Sequence, residues 1–181
     1  MIRSYRTEGI VIKRNNYSEA DRIITIFTKD QGKISIKASG VRKIISRRSA
    51  HVEPLNHVLI TLHRGNKFPI LGEAQTIESY DEIKQDLSKV GHAYHVCEII
   101  DGLCPENQEN IRVFFLLKNI LHLMSKEIIT NEMVDAFEVG LLTELGFWNN
   151  TFMTKNLDNQ DFIENILERR LKSRRIFSKL Q

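Results

Sequence analysis

With 181 residues, 41% of them hydrophobic and 27% charged, the chain can bury one sizeable core or two small ones and is not a disordered polypeptide. No stretch approaches the ~18 uncharged apolar residues of a membrane-spanning helix. The opening segment Met1–Arg14 is interrupted by Arg3, Arg6 and Glu8 and lacks the apolar core of a secretory leader. No membrane contact is expected, and the cytoplasm is the expected compartment. Charge is divided unevenly. Residues 1–80 hold 14 Lys+Arg against 7 Asp+Glu, a balance of +7, whereas residues 81–181 hold 12 against 16, a balance of −4. A basic first part joined to an acidic second part predicts two domains, 1–80 and 81–181, the first facing a polyanion.

The first part reads as β. Glu8–Arg14 places Ile10 and Ile12 on one face, and Arg22–Thr28 is dense in strand formers. Lys33–Ser39 alternates cleanly, with Ile34, Ile36 and Ala38 pointing one way and Lys33, Ser35, Lys37 and Ser39 the other. Lys29-Asp30-Gln31-Gly32 joins the last two as a hairpin loop. His57–His63 forms a fourth strand, Arg64-Gly65-Asn66-Lys67 a second hairpin turn, and Ile70–Tyr80 a fifth strand. This pattern predicts a five-stranded OB-fold β-barrel, with an SH3-like barrel fitting nearly as well. Gly40–Val52 breaks the rhythm and reads as a short helix or an ordered loop.

From Asp81 the period becomes helical, which makes the fold class α+β with an all-helical second domain. Leu87, Val90, Tyr94, Cys97 and Cys104 trace one stripe, and Pro105 stops it. Ile111–Met124 is apolar almost all round. Thr130 can cap a third helix with the stripe Val134, Phe137, Leu141 and Leu145, ended by Gly146. After the polar stretch Trp148–Asn159, a last helix is expected over Asp161–Leu171.

Few residues carry signs of chemistry. Gly32-Lys33 is only a turn, because a phosphate loop needs glycine where Phe27 stands. No GxGxxG, GxSxG or HExxH occurs. Cys97 and Cys104 lack a CxxC context and read as reduced core residues. His92 and His95 fit a helix surface better than a metal site, and Asp81, Glu82 and Asp86 read as the acidic first turn of a helix. No catalytic site, cofactor or metal is expected.

One constellation stands out. Lys33, Lys37, Arg42, Lys43, Arg47 and Arg48 follow one another, and no acidic residue occurs from Gln31 to Val52. Such a strip can track a phosphate backbone and release counterions as it binds. Arg64 in the second hairpin turn joins the candidate nucleic-acid-binding set. Tyr5, Tyr17, Phe68 and Tyr80 are candidate platforms for stacking bases, while Phe27 is assigned to the core. A merely solvated basic face competes about evenly on composition alone. The second run, Arg169 to Lys179, is weaker evidence for a polyanion site, because helix C-termini collect cations for electrostatic reasons alone.

Gly9-Ile10-Val11-Ile12, then Tyr17 to Thr28, then Gly32-Lys33, Ala38-Ser39-Gly40-Val41-Arg42, Ser46-Arg47-Arg48 and Glu53-Pro54-Leu55 resemble, in order, the opening of the RecO family of bacterial recombination mediators. Leu142-Thr143-Glu144-Leu145-Gly146-Phe147 and Leu171-Lys172-Ser173-Arg174-Arg175 resemble its helical part more loosely. The resemblance implies an N-terminal OB-fold and a helical C-terminal domain. It also implies binding to single- and double-stranded DNA, annealing of complementary strands, and recombinase loading onto DNA coated by single-strand binding protein, without ATP. RecR and the C-terminal tail of single-strand binding protein would be the partners. Many family members carry a four-cysteine zinc module after the Leu-Gly-Phe region; Trp148–Asp161 contains no cysteine, so no zinc is expected there. The rival readings are an RNA-binding OB-fold protein and a non-catalytic interaction scaffold.

Overall fold

The computed structural model describes residues 4–147 and 158–174. Most of the polar stretch after Phe147, and the end of the second basic run including Arg175 and Lys179, lie outside the described residues.

The architecture is α+β, five strands followed by helices. The strands are β1 (Ser4–Tyr17), β2 (Asp21–Thr28), β3 (Gly32–Ala38), β4 (His57–His63) and β5 (Ile70–Glu78). Their hydrogen-bonded order is β1-β2-β3-β5-β4, and β4 pairs back onto β1, so the ladder closes on itself. β1 is longer than expected because it serves two neighbours. Ser4–Ile10 pairs with β4, and Gly9–Tyr17 pairs with β2. A register shift between Val11 and Lys13 bends the strand between the two. The shift also corrects the simple alternation read there, since Ile10, Val11 and Ile12 are all buried. Val11, Ile24, Ile26, Ile34, Ile36, Val58, Ile60, Leu62 and Leu71 fill the interior. Phe27, expected in that core, is fully buried but is not part of this interior cluster.

β3 has an unusual second edge. Its only ladder pair with β5 is Lys37 with Ile70, in parallel. At its other end it meets a distant segment, where Lys33 bridges to Glu106 and the Asn107 amide donates to the Lys33 carbonyl at 2.8 Å. Gly32 (φ 66°) ends the β2–β3 turn, and a Cβ there would lie 1.8 Å from the Gln108 carbonyl oxygen. Pro105–Phe114 accordingly groups with the sheet as one compact unit, while Tyr80–Cys104 and the chain from Phe115 onward form the other.

The helical unit differs in detail from the periodicity. One expected helix is two: α1 (Asp81–Lys84) and α2 (Leu87–Leu103). Asp86 breaks them apart because its carboxylate accepts from the amides of Ser88 and Lys89 and caps α2. Asp81 and Glu82 do sit in a first turn, that of α1, but Asp86 does not. Leu87 and Tyr94 are exposed rather than part of the buried stripe. Helix α3 (Ile111–Lys126) buries Leu117, Leu121 and Met124 but exposes Ile111 and Phe115, so it is not apolar all round in effect. Helix α4 (Asn131–Glu144) is capped by the Thr130 hydroxyl, which accepts from the Met133 amide. It ends with Gly146 at φ 78° and the Phe147 amide donating to the Leu142 carbonyl. Helix α5 (Asn159–Leu167) stops earlier than expected, with Glu168 left-handed at φ 52°. Arg169, Arg170 and Lys172 therefore lie beyond that helix rather than in its last turn. Cys97 and Cys104 are free and buried, and burial pushes the Cys97 thiol up to about 12.

Two polar groups hold the residues after α5. His95, expected on the surface, is fully buried; its Nδ1 lies 2.8 Å from the Ser173 hydroxyl and its Nε2 2.7 Å from a Glu138 carboxylate oxygen. Glu98 accepts from the backbone amides of Lys172 and Ser173 and from Arg169. Partial burial alone would raise the Glu98 pKa, but these donors outweigh it and hold the carboxyl at about 2, below the usual 4.5. A carboxyl lowered on folding stabilises above its unfolded value, and that contribution disappears as pH falls toward the folded one. The shift corresponds to a ceiling of roughly 3 kcal/mol, reduced by solvent screening at this partly exposed group. Urea titrations of the wild-type chain and Glu98→Gln should therefore show a stability gap at neutral pH that shrinks as pH drops from 4.5 toward about 2. A gap independent of pH would contradict the assignment.

Candidate nucleic-acid interface

The basic residues lie on the connection between β3 and β4. This segment is neither a helix nor a slack loop. It is a chain of turns, in which the Lys43 amide donates to the Gly40 carbonyl, that of Ser46 to Lys43, and those of His51 and Val52 to Arg48. Val41 and Val52 anchor it in the sheet interior, and Leu55 is buried as well. The Arg42 amide donates to the Ala20 carbonyl, the Gly40 amide to the Asp21 carboxylate, and the Asn56 side-chain amide to the carbonyls of Ala50 and His51. Bracing at both ends leaves the apex residues Arg42, Lys43, Ile44, Ile45 and Arg47 displayed to solvent.

The expected cations fare differently. Arg48 is half-buried and points inward, donating to the Ser39 carbonyl at 2.8 Å, to Leu71 at 2.7 Å and to Gly72 at 3.3 Å. It stitches the end of β3 to β5 beside their single ladder pair. Lys33 is buried where Glu106 runs alongside β3, so the solvent-facing strip does not begin there. Lys37 is half-exposed and pairs with Asp21 at 3.0 Å. Arg42 is exposed, and its guanidinium donates to the carbonyls of Ser18 and Glu19. Those acceptors are neutral, so that contact leaves its charge uncompensated. Lys43 and Arg47 are exposed, and among the described residues no carboxylate pairs with Arg47. Arg64 is exposed on the β4–β5 connection.

Arg47, Arg48 and Lys43 line an open groove of about 640 Å³ with Ala20, Asp21, Ser39, Gly40, Ile45 and Ser46. Asp21 is the acid of that groove. The Gly40 amide, and then Lys37, hold its carboxyl below the usual range and keep it charged. Of the four aromatic candidates, Tyr80 is buried and is no platform. Tyr5 packs against the sheet interior and donates to Gln31. Phe68 is partly buried, with the Lys67 ammonium 5.5 Å from its ring centre. Tyr17 is exposed, with the Lys37 ammonium 5.5 Å from its ring centre. Ile44 and Ile45, which the sequence marks only as apolar residues of the connection, both stand in solvent.

A closed five-stranded sheet that braces a cation-rich loop, with a helical unit of its own core, defines an α+β protein whose most distinctive surface is basic. The family profile described as "Recombination protein O N terminal" matches residues 1–80, and that described as "Recombination protein O C terminal" matches residues 84–150. The DNA repair protein RecO of Symbiobacterium thermophilum is 33% identical over 144 residues, 79% of this chain and 57% of its own length. That of Roseiflexus sp. is 34% identical over 145 residues, 80% of this chain and 51% of its own. That of Acetivibrio thermocellus is 37% identical over 143 residues, 78% and 57%. The chain belongs to the RecO family. It spans about half the length of the curated relatives it matches.

Arg47 and Arg48 are adjacent in sequence yet opposite in role. Arg48→Ala orphans partly buried carbonyls and should cost about 1–3 kcal/mol of stability, whereas Arg47→Ala should stay within about 0.5 kcal/mol. Thermal unfolding of the two variants checks this; equal effects would remove the structural role given to Arg48.

Proposed function

We propose that this chain is a non-enzymatic DNA-binding protein of recombinational DNA repair, acting in the cytoplasm. The closed sheet is read as an OB-fold barrel, with residues 1–80 as the DNA-binding domain and 81–181 as the helical domain. The observation that carries the reading is the braced apex. There Arg42, Lys43 and Arg47 stand exposed, Lys43 and Arg47 at an open groove whose lining acid is Asp21. Lys37 and Arg64 extend the surface, and Tyr17 offers a ring for an unpaired base. Lys33 and Arg48 hold the sheet that carries it. Family membership supports the further role: annealing complementary single strands and helping to load recombinase onto DNA coated by single-strand binding protein, in concert with RecR and with the tail of single-strand binding protein. No cofactor is needed for such work, because phosphate neutralisation by itself lets two strands approach.

Reversing Arg42, Lys43 and Arg47 to Glu tests the reading while leaving Arg48 and the buried anchors in place. Fluorescence anisotropy against single-stranded DNA over a salt series should show a large loss of affinity. The salt slope should fall by about 0.7 for each phosphate contact removed. Unchanged affinity and slope would place DNA binding elsewhere.

A further inference from the structure

Ile44 and Ile45 pose a physical problem that cation binding does not answer. Their relative exposures are 104% and 87%, the highest among the large hydrophobic residues described in the sheet unit. They are consecutive, and they lie at the apex of a segment whose other large apolar side chains, Val41, Val52 and Leu55, are all buried. The bracing described above keeps them from folding back, because Arg42 and Arg48 are tied to carbonyls on either side of them. Two β-branched side chains are thus held in water by a stiff loop, with Arg42 and Lys43 before them and Arg47 after them. A surface that receives them must be apolar at its centre and anionic on both flanks. A base-pair step has that layout, with an apolar stack between two phosphate-bearing strands.

We propose that Ile44 and Ile45 form a wedge that enters between stacked base pairs of a DNA duplex while Arg42, Lys43 and Arg47 hold the phosphates beside the opened step. The inference rests on the DNA-binding reading of the same loop and deepens it. Aliphatic side chains suit a wedge because they prise a step apart instead of extending the stack, and they kink the duplex where they enter. The wedge gives the loop a second job beyond attraction, which is to unstack bases at the point of contact. Local unstacking favours exchange of pairing partners, because an unstacked base has lost part of what held it to its first partner.

The test uses the full chain and a duplex carrying 2-aminopurine, whose fluorescence rises when its neighbours unstack. Saturating wild-type protein should raise the emission. The double variant Ile44→Ala with Ile45→Ala should bind with an unchanged salt slope, since its cations remain, yet leave the emission at the level of free duplex. Because both side chains are exposed, its thermal unfolding should match that of the wild type. An equal rise with the double variant would overturn the wedge, as would no rise with a wild type that binds with its full salt slope; the isoleucines would then belong to a protein contact. Absence of duplex binding by either protein at low salt would sink the DNA reading of the loop and the wedge with it. The two failures are therefore distinguishable by whether the salt-dependent binding survives.

Discussion

Between β3 and β5 the sheet has almost no ladder to close it. One parallel register pair, Lys37 with Ile70, and the amide of Lys37 donating to the Pro69 carbonyl at 2.8 Å are the backbone contacts described at that seam. Arg48 supplies what the backbones do not, donating to one carbonyl just past the end of β3 and to two of β5. A charged donor on several partly buried carbonyls is worth more than a neutral one. Closure of the sheet and the position of the basic loop thus depend on the same side chain. The loop is long enough to reach across the seam, and its own residue fastens it there.

That coupling explains how a turn-rich segment can carry a defined surface. A cation-rich loop free to move would lose conformational entropy on every phosphate it met. Here Asp21 holds the Gly40 amide, Arg42 grips the carbonyls of the β1–β2 turn, Val41 and Val52 are sunk in the interior, and Leu55 is buried. The cost of ordering is met during folding, so the apex is already arranged when a ligand arrives. The same rigidity keeps Ile44 and Ile45 exposed against the tendency of apolar groups to collapse.

Much of the sheet was legible from period-two alternation and turn residues. His57–His63 is the observed β4, Gly32 has the positive φ its turn requires, and the α4 cap at Thr130 and stop at Gly146 follow from local chemistry. What could not be read is what depends on distant partners. The bend in β1 arises because one strand must serve both β4 and β2, and no local pattern reports that. Lys33 alternates like a surface residue but is buried beside Glu106, which is remote along the chain. Arg47 and Arg48 are identical in type and adjacent; only the direction of their side chains separates an exposed cation from a structural tie. His95 looked like a surface histidine because its partners, Glu138 and Ser173, come from remote segments.

If the braced connection between β3 and β4 is where this chain meets DNA, ligand binding must shield it. Hydrogen–deuterium exchange on the full chain, with and without saturating single-stranded DNA, reads that shielding directly. Added protection is expected in peptides covering residues 40–48 and the adjoining β1–β2 turn, with little change in the segments that cover α3 and α4. Protection confined to the helices, with the 40–48 peptides unaffected at saturation, would contradict a DNA site on this loop.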